Sequence, residues 1–340
     1  MLDYIYMSQP YDFVALGDIV IDAFIELDLE YSKVLKDVDS GRKTLMMDFG
    51  SKLPYKDVTV VNAVGNSPNA AVSAHRLGLR SALVSNVGHD RNGQDCLNTL
   101  RTEGVHTDYV KVHEGKKTNY HYVLRHGPER TILIKHEQFP YTLPDFDTPP
   151  RYIYFSSIGE HGLPFHFEIA KYIKENPETK LVFQPGTFQI KLGHEKLKEI
   201  YEATEIFFCN KEEAQEILGV KEQDVPTLIR EFKKLGPNMP VVTDGPNGAY
   251  VVDESDQAWH MPMYPDPAPP VDRTGAGDSF SSTFTAAIAL GKTPAEALSW
   301  GPINSMSVVQ KIGAQAGLLS MDDLQKFLAD APQDYVAKKI

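Results

Sequence analysis

"DRTGAGDSF", residues 272–280, places three small residues, Gly275, Ala276 and Gly277, directly before an acid, Asp278. Apolar and small residues follow (Phe280, Phe284, Ala286, Ala287, Ile288, Leu290), which predicts a helix over about 276–290 that starts inside the motif. A helix start presents unpaired backbone N–H groups and the positive end of the macrodipole. With the side chains stripped away there, an anion can approach the backbone closely. Asp278 then has two readings. It caps the helix, which stabilises by about 1 kcal/mol, or it takes a proton from a substrate hydroxyl while neighbouring amides hold the developing negative charge. A cap alone does not require the Gly-Ala-Gly run.

Working outward, the approach to the motif, "MYPDPAPPVD" (263–272), is Pro-rich and extended, a shaped entry rather than a linker. Upstream, strands are expected near 152–157, 180–184, 205–209 and 240–243, with a β pair near 248–260. Helices are expected near 165–175, 194–202, 211–218, 226–235, 294–309 and 321–330. This alternation predicts an α/β fold, a mostly parallel sheet covered by helices on both faces. Near the N-terminus, 12–27 reads as strand, turn and strand. "NSPNAAVSAHRLGLR" (66–80) reads as a helix capped by Asn66 or Ser67 and ended by Gly78. A strand and turn over 81–90 and a helix over 91–105 follow, then two alternating runs in 118–137 flank Gly127–Pro128 as a hairpin.

The 340 residues carry a net charge of −12 and are 42% hydrophobic, an ordinary globular composition. An acidic surface repels phosphate backbones and anionic lipid, so neither nucleic acid nor a membrane surface is expected as a partner. A bound anion then needs a local site. Cys96 and Cys209 show no metal-ligand spacing and are expected as reduced thiols of a cytoplasmic protein. The N-terminal "MLDYIYMSQPYDF" has no basic stretch or long apolar run, so no signal peptide is expected. No apolar run approaches the roughly 18 residues of a spanning helix.

The motif resembles the C-terminal signature of the ribokinase-like (PfkB) carbohydrate kinases, D-[TS]-[TV]-G-A-G-D. Four further segments agree in order: "NAVGNSPNAAVSAHRLG" (62–78) is similar to the family's G-G-x-x-x-N-x-A, "NKEEA" (210–214) to N-x-x-E, "VTDGPNGAY" (242–250) to T-x-G-x-x-G, and "KIGAQAG" (311–317) to the closing G-A segment. The resemblance spans essentially the whole chain. It implies one ribokinase-like domain over 1–340, a three-layer sandwich with a small β-sheet lid drawn from about 28–60 and 110–137. It further implies ATP-dependent transfer of phosphate to a sugar hydroxyl, with Mg²⁺ and, in many members, K⁺. A lid excludes water as a competing acceptor, and in some members it mediates dimerisation.

Carried over residue by residue, the resemblance makes Asp278 the general base and Gly275, Ala276 and Gly277 the anion hole. Asn210 and Glu213 would order Mg²⁺ water and nucleotide phosphates, since Mg²⁺ usually keeps several waters. Thr243, Gly245 and Gly248 would form the nucleotide loop, though "DGPNG" also reads as a plain β-turn. Asp272, Thr274 and Gly313 would flank a monovalent cation. Asp22 would grip sugar hydroxyls, with Gly65, Asn66 and Asn69 beside it and Glu160 as a further contact.

The chain also departs from the pattern. Val64 replaces the first glycine of the pair, and Val20 stands where ribose kinases carry Asn. Arg273 replaces Thr or Ser, and Pro302 stands where a polar residue sometimes faces adenine, with Asn304 close by. The acceptor is therefore open. A nucleoside kinase would need a base pocket, for which Phe24, Phe49 and Tyr120 are available. A sugar-phosphate kinase would need basic lid residues, with Lys43, Arg125 and Arg130 as candidates. A non-catalytic ligand sensor on the same fold is the rival from another class. No G-x-G-x-x-G follows the first strand, which argues against a dinucleotide dehydrogenase, and no G-x-x-x-x-G-K-[ST] occurs, which excludes a P-loop kinase.

Overall fold

The computed structural model describes residues 9–38, 41–127, 129–221 and 224–340. The opening residues 1–8 and Pro128 of the expected hairpin turn lie outside the described residues. The strands are β1 (Phe13–Leu16), β2 (Val20–Leu27), β3 (Ser32–Lys36), β4 (Lys43–Met47), β5 (Tyr55–Val64), β6 (Ser81–Gly88), β7 (Val110–His113), β8 (Asn119–His126) and β9 (Glu129–Leu133). They continue with β10 (Tyr152–Phe155), β11 (Lys180–Phe183), β12 (Thr204–Asn210), β13 (Met239–Thr243), β14 (Ala249–Val252), β15 (Ala258–Met261) and β16 (Lys338–Lys339). The helices are α1 (Asn66–Arg76), α2 (Arg91–Thr102), α3 (Leu163–Glu175), α4 (Thr187–Leu192), α5 (Lys198–Ala203), α6 (Lys211–Leu218), α7 (Val225–Leu235), α8 (Ala276–Ala289), α9 (Pro294–Val308) and α10 (Met321–Ala329).

The short apolar runs FVAL, YIYF and KLVF are buried on both faces, as central parallel strands require. Their alternation assigns the faces. Phe13, Ala15, Tyr154 and Val182 pack under α1, α2, α8 and α9, whereas Val14, Leu16, Phe155 and Phe183 pack under α3, α5, α6 and α7. The result is a three-layer sandwich around a ten-stranded sheet of order β16-β15-β14-β13-β12-β11-β10-β1-β6-β7. It is parallel from β7 to β13 and antiparallel from β13 to β16.

The chain runs outward from β1 to β6 and β7, then returns to build the other half from β10. That reversal beside β1 is the topological switch point at which open α/β sheets bind ligands, outside the strands' carboxyl ends.

After β1 the chain leaves the central sheet through a turn at Gly17–Asp18, and β2 enters a four-stranded lid of order β5-β2-β8-β9. The lid boundaries differ from the sequence expectation in two ways. Val110–His113 pairs with β6 at the edge of the central sheet, and β3 and β4 pair with each other in a separate two-stranded sheet. Two local readings also change. Helix α1 is preceded at its N-cap by Gly65 (φ 119°), because the Asn66 and Ser67 side chains are engaged elsewhere. Helix α4 was not foreseen, since Pro185 and Gly186 mask a short helix whose start is closed by the Gln189 side chain accepting from the Gly186 N–H.

Arg76, in the last turn of α1, donates to Glu103 Oε2 at 2.8 and 3.0 Å and to the carbonyls of Gln315 and Leu318 at 3.0 and 2.8 Å. It therefore ties α1, α2 and the 311–317 segment together. Arg76→Ala leaves these carbonyls and a half-buried carboxylate without a donor. Chemical denaturation is expected to show a loss of about 2 kcal/mol.

Candidate active site

The motif loop is held from behind. Asp272, buried, accepts from the Thr274 N–H (3.0 Å) and hydroxyl (2.8 Å) with one oxygen and from the Gly313 N–H (3.0 Å) with the other. This clamp brings Asp272, Thr274 and Gly313 together. It also commits the Asp272 carboxylate to protein donors, so the donor set gives no support to K⁺ on that side chain. Gly275 adopts φ 79°, and a Cβ there would lie 2.3 Å from the Ala314 Cβ. Only glycine lets the two loops touch.

Helix α8 then begins, and its first turn is not closed by any side chain. The N–H groups of Gly275 and Gly277 have no protein acceptor among the described residues. Asp278 is 7% exposed and does not cap. Its carboxylate accepts from Asn66 Nδ2 (2.7 Å), Asn69 Nδ2 (2.8 Å) and Gln184 Nε2 (3.2 Å). Burial raises the Asp278 pKa against the opposing pull of these three amides. The supporting amides are themselves fixed. Asn69 Oδ1 accepts from Gln315, while Gln184 Oε1 accepts from the Tyr154 and Ser281 hydroxyls.

Residues 210–213 start α6 as a reciprocal capping box. Asn210 Oδ1 accepts from the Glu213 N–H (2.8 Å) and Glu213 Oε2 from the Asn210 N–H (2.9 Å). Burial raises the Glu213 pKa. Its other carboxylate oxygen makes no hydrogen bond to the described residues and the side chain lines the cleft, a donor suited to metal-bound water. Among the described residues, no three His, Cys, Asp or Glu side chains group closely enough to bind a metal directly. The Lys211–Asp244 ion pair (3.3 Å) ties this box to the turn after β13.

A cleft of about 470 Å³ opens between the lid and the carboxyl ends of the central strands. Gly275, Ala276, Gly277, Asp278, Thr274, Asn210, Glu213, Thr243, Gly65, Asn66, Asn69 and Asp22 all line it. Several expected residues do not. Glu160 is exposed on a short 3₁₀ turn away from the cleft. Gly245 is exposed on the β13–β14 turn, and Gly248 is needed because a Cβ would meet the Met261 carbonyl at 2.0 Å. Asp272 and Gly313 sit behind the loop. Phe24 is buried, Phe49 fully exposed and Tyr120 outside the lining, so none of them forms a base pocket. Lys43 pairs with Glu129 on the surface (4.0 Å) and Arg125 donates to the Val271 carbonyl (3.3 Å). Of the basic lid candidates, Arg130 alone faces the cleft, joined there by Arg273 from the motif loop. Asn304, buried in α9 two residues past Pro302, bonds Thr283 and the Leu319 N–H and serves packing.

The structure adds residues that the sequence reading missed: Gln184 and Ser157 just past β11 and β10, Asp18 past β1, and His121 and His136 from the lid side. His136 and Tyr141 both bond the Asp18 carboxylate (2.9 Å each). Cys96 and Cys209 are buried free thiols on opposite faces of the sheet, and burial pushes the Cys96 pKa up to about 12. Among the described residues, no helix is long and apolar enough to cross a membrane.

The chain is 27% identical over 274 residues to a ribokinase of Bacillus subtilis, covering 78% of this chain and 87% of that protein. It is 23% identical over 299 residues to a 5-dehydro-2-deoxygluconokinase of Halalkalibacterium halodurans, covering 80% and 87%. Its fold superposes on the structure of Arabidopsis thaliana ribokinase complexed with ribose and ATP at a TM-score of 0.78, with 19% identity over 94% of this chain and 99% of the other. The profile of the pfkB family carbohydrate kinases matches residues 46–321, and the chain belongs to that family of phosphotransferases acting on hydroxyl groups.

Proposed function

We propose that this protein transfers the γ-phosphoryl group of ATP to a hydroxymethyl group of a sugar. The observation that carries this reading is the Asp278 carboxylate, buried in the cleft and held by three amides beside a helix start where the Gly275 and Gly277 N–H groups have no protein acceptor among the described residues. In this reading Asp278 accepts the proton of the attacking hydroxyl, and the N–H groups of Gly275, Ala276 and Gly277 receive the charge of the migrating phosphoryl. Asn66, Asn69 and Gln184 keep the carboxylate aimed. Asn210, Glu213 and Thr243 serve the nucleotide side, and Asp22, Gly65 and Asn69 the acceptor side. Mg²⁺, when bound, neutralises charge on the phosphate oxygens, and Glu213 suits a role in its water shell. The test is ADP formation from ATP and Mg²⁺ over D-ribose, D-fructose, adenosine, 2-dehydro-3-deoxy-D-gluconate and fructose 6-phosphate. If none raises ADP above the ATP-only rate while one of them raises the melting temperature, the sensor reading replaces this one.

A second reading, an acceptor that carries a carboxylate or phosphate, is favoured by Arg130. Cross-strand register places Arg125 opposite Arg130 on the cleft face of the lid, and like charges directly opposite are destabilising. Arg125 turns to a carbonyl, whereas Arg130 and Arg273 have no acidic partner among the described residues, in a chain of net charge −12. Arg130→Gln is expected to raise KM about tenfold for the two anionic acceptors and to leave neutral sugars unchanged. An equal effect on both classes sinks this second reading.

The same register puts Ala23, Val58, Val60, Tyr122 and Leu133 on the outer face of the lid, and the last four are 42–53% exposed. We propose that a second copy covers this face. Light scattering should then report a dimer that Tyr122→Glu dissociates.

A further inference from the structure

We infer that His121 determines which acceptor binds, by reading one hydroxyl of a polyhydroxylated acceptor jointly with Asp22. This inference rests on the kinase reading and names the substrate chemistry of its acceptor side. Strands β2 and β8 run parallel in the lid with Asp22 opposite His121, so both side chains point into the cleft. Both are nearly buried, with side chains 12% and 11% exposed. Among the described residues, four buried side-chain polar atoms lack a hydrogen-bond partner, and two of them are Asp22 Oδ1 and His121 Nε2. The other two, on Ser73 and Ser85, lie outside this cleft. His121 Nδ1 stands 3.4 Å from Asp22 Oδ1, close enough for a charge contact but out of line for a hydrogen bond.

Folded proteins rarely bury an unpaired polar atom, because it loses water without gaining a partner. One acceptor and one ring nitrogen left open on the same face match a hydroxyl group, which donates to one and accepts from the other. The neighbouring polar cluster does not compete for the ligand. His136, whose ring lies 5.2 Å from that of His121, is bonded to Asp18, which also accepts from Tyr141. Val20, Ile132 and Ile134 give the cleft wall an apolar part. A carbon chain with hydroxyls on one edge suits this surface.

The test is calorimetric binding of D-ribose, 2-deoxy-D-ribose, 3-deoxy-D-ribose, D-fructose and 3-deoxy-D-fructose to the full chain saturated with Mg²⁺ and a non-hydrolysable ATP analogue. In the unmodified protein, one deoxy position in each series is expected to weaken Kd about tenfold. His121→Asn keeps a nitrogen near Asp22 but cannot reach the ligand, so the deoxy penalty should fall below about twofold. His121→Gln, which restores an N–H at the reach of Nε2, should recover it. The same penalty in the unmodified protein and in His121→Asn overturns the inference, since a merely structural histidine would weaken all five sugars alike. Asp278→Asn separates the two readings. If His121 is right, the binding pattern survives in that variant whatever happens to turnover.

Discussion

Asp278→Asn should lower kcat about 1,000-fold on the best acceptor, with the fold and the acceptor Kd preserved. A positioned general base contributes roughly 10²–10⁴-fold, and an amide of the same shape cannot accept the proton. The three donors around Asp278 explain why the loss should lie in kcat rather than in folding. Asn66, Asn69 and Gln184 hold the carboxylate from different elements. An asparagine oxygen can keep two such bonds, and the variant also sheds a buried charge, which offsets the third. Wild-type kcat in Asp278→Asn would remove the base from the proposal, and an unfolded variant would show that the carboxylate is needed structurally.

The pH dependence has a definite sign. As the proposed base, Asp278 is competent as the carboxylate, and burial raises its pKa. The acid limb of kcat should therefore lie above the ordinary carboxylate value near 3.9, with the rate rising through the raised pKa and then levelling. For stability the direction is opposite. The folded state binds this proton more tightly than the unfolded chain, so Asp278 contributes a loss of stability as pH rises from the unfolded pKa through the folded one. Glu213, also raised by burial, adds to that slope. The slope should be shallower in Asp278→Asn, as measured by denaturant melts at a series of pH values.

What the sequence made legible is local chemistry. Gly275 three residues before Asp278 announces itself because both lie on one turn of chain, and the helix start follows from that spacing. The same holds for β1 or β11, where an unbroken apolar run already implies burial on both faces. What stayed hidden depends on register between distant strands. His121 meets Asp22 only because β2 crosses into the lid and pairs in parallel with β8. Gln184 reaches Asp278 because β11 ends below α8. Gly248 shows the same dependence: the Met261 carbonyl of the neighbouring strand excludes a side chain there, which the turn sequence alone does not announce. Glu160 follows a strand as a site residue should, but the short turn after it aims outward. One signal was available and unused. Residues just past the carboxyl ends of parallel strands flank the switch point, and that rule selects Asp18, Ser157 and Gln184 directly.

The glycines of the motif should separate into two kinds under substitution. Gly275→Ala is expected to destabilise by about 2–5 kcal/mol, summing about 1–2 for a side chain at φ 79° and about 1–3 for driving a methyl into Ala314. Activity should fall with it, because the loop whose N–H groups are proposed to receive the phosphoryl separates from the 311–317 segment. Gly277→Ala should behave differently. Gly277 has ordinary helical geometry, and a Cβ there would find no protein atom nearer than Gln184 Nε2 at 3.8 Å. The fold therefore does not require glycine, and alanine's helix preference should raise stability by up to about 1 kcal/mol. The space a methyl would fill is the cleft itself, beside Asp278. If the migrating phosphoryl occupies that space, kcat/KM should drop about a hundredfold, the scale of a displacement of about 1 Å from the reactive geometry. A variant that melts no lower than the unmodified protein yet has lost most of its turnover would assign Gly277 to the ligand and Gly275 to the scaffold. Full activity in Gly277→Ala would mean that the phosphoryl passes elsewhere, and the anion hole would have to be sought outside this helix start.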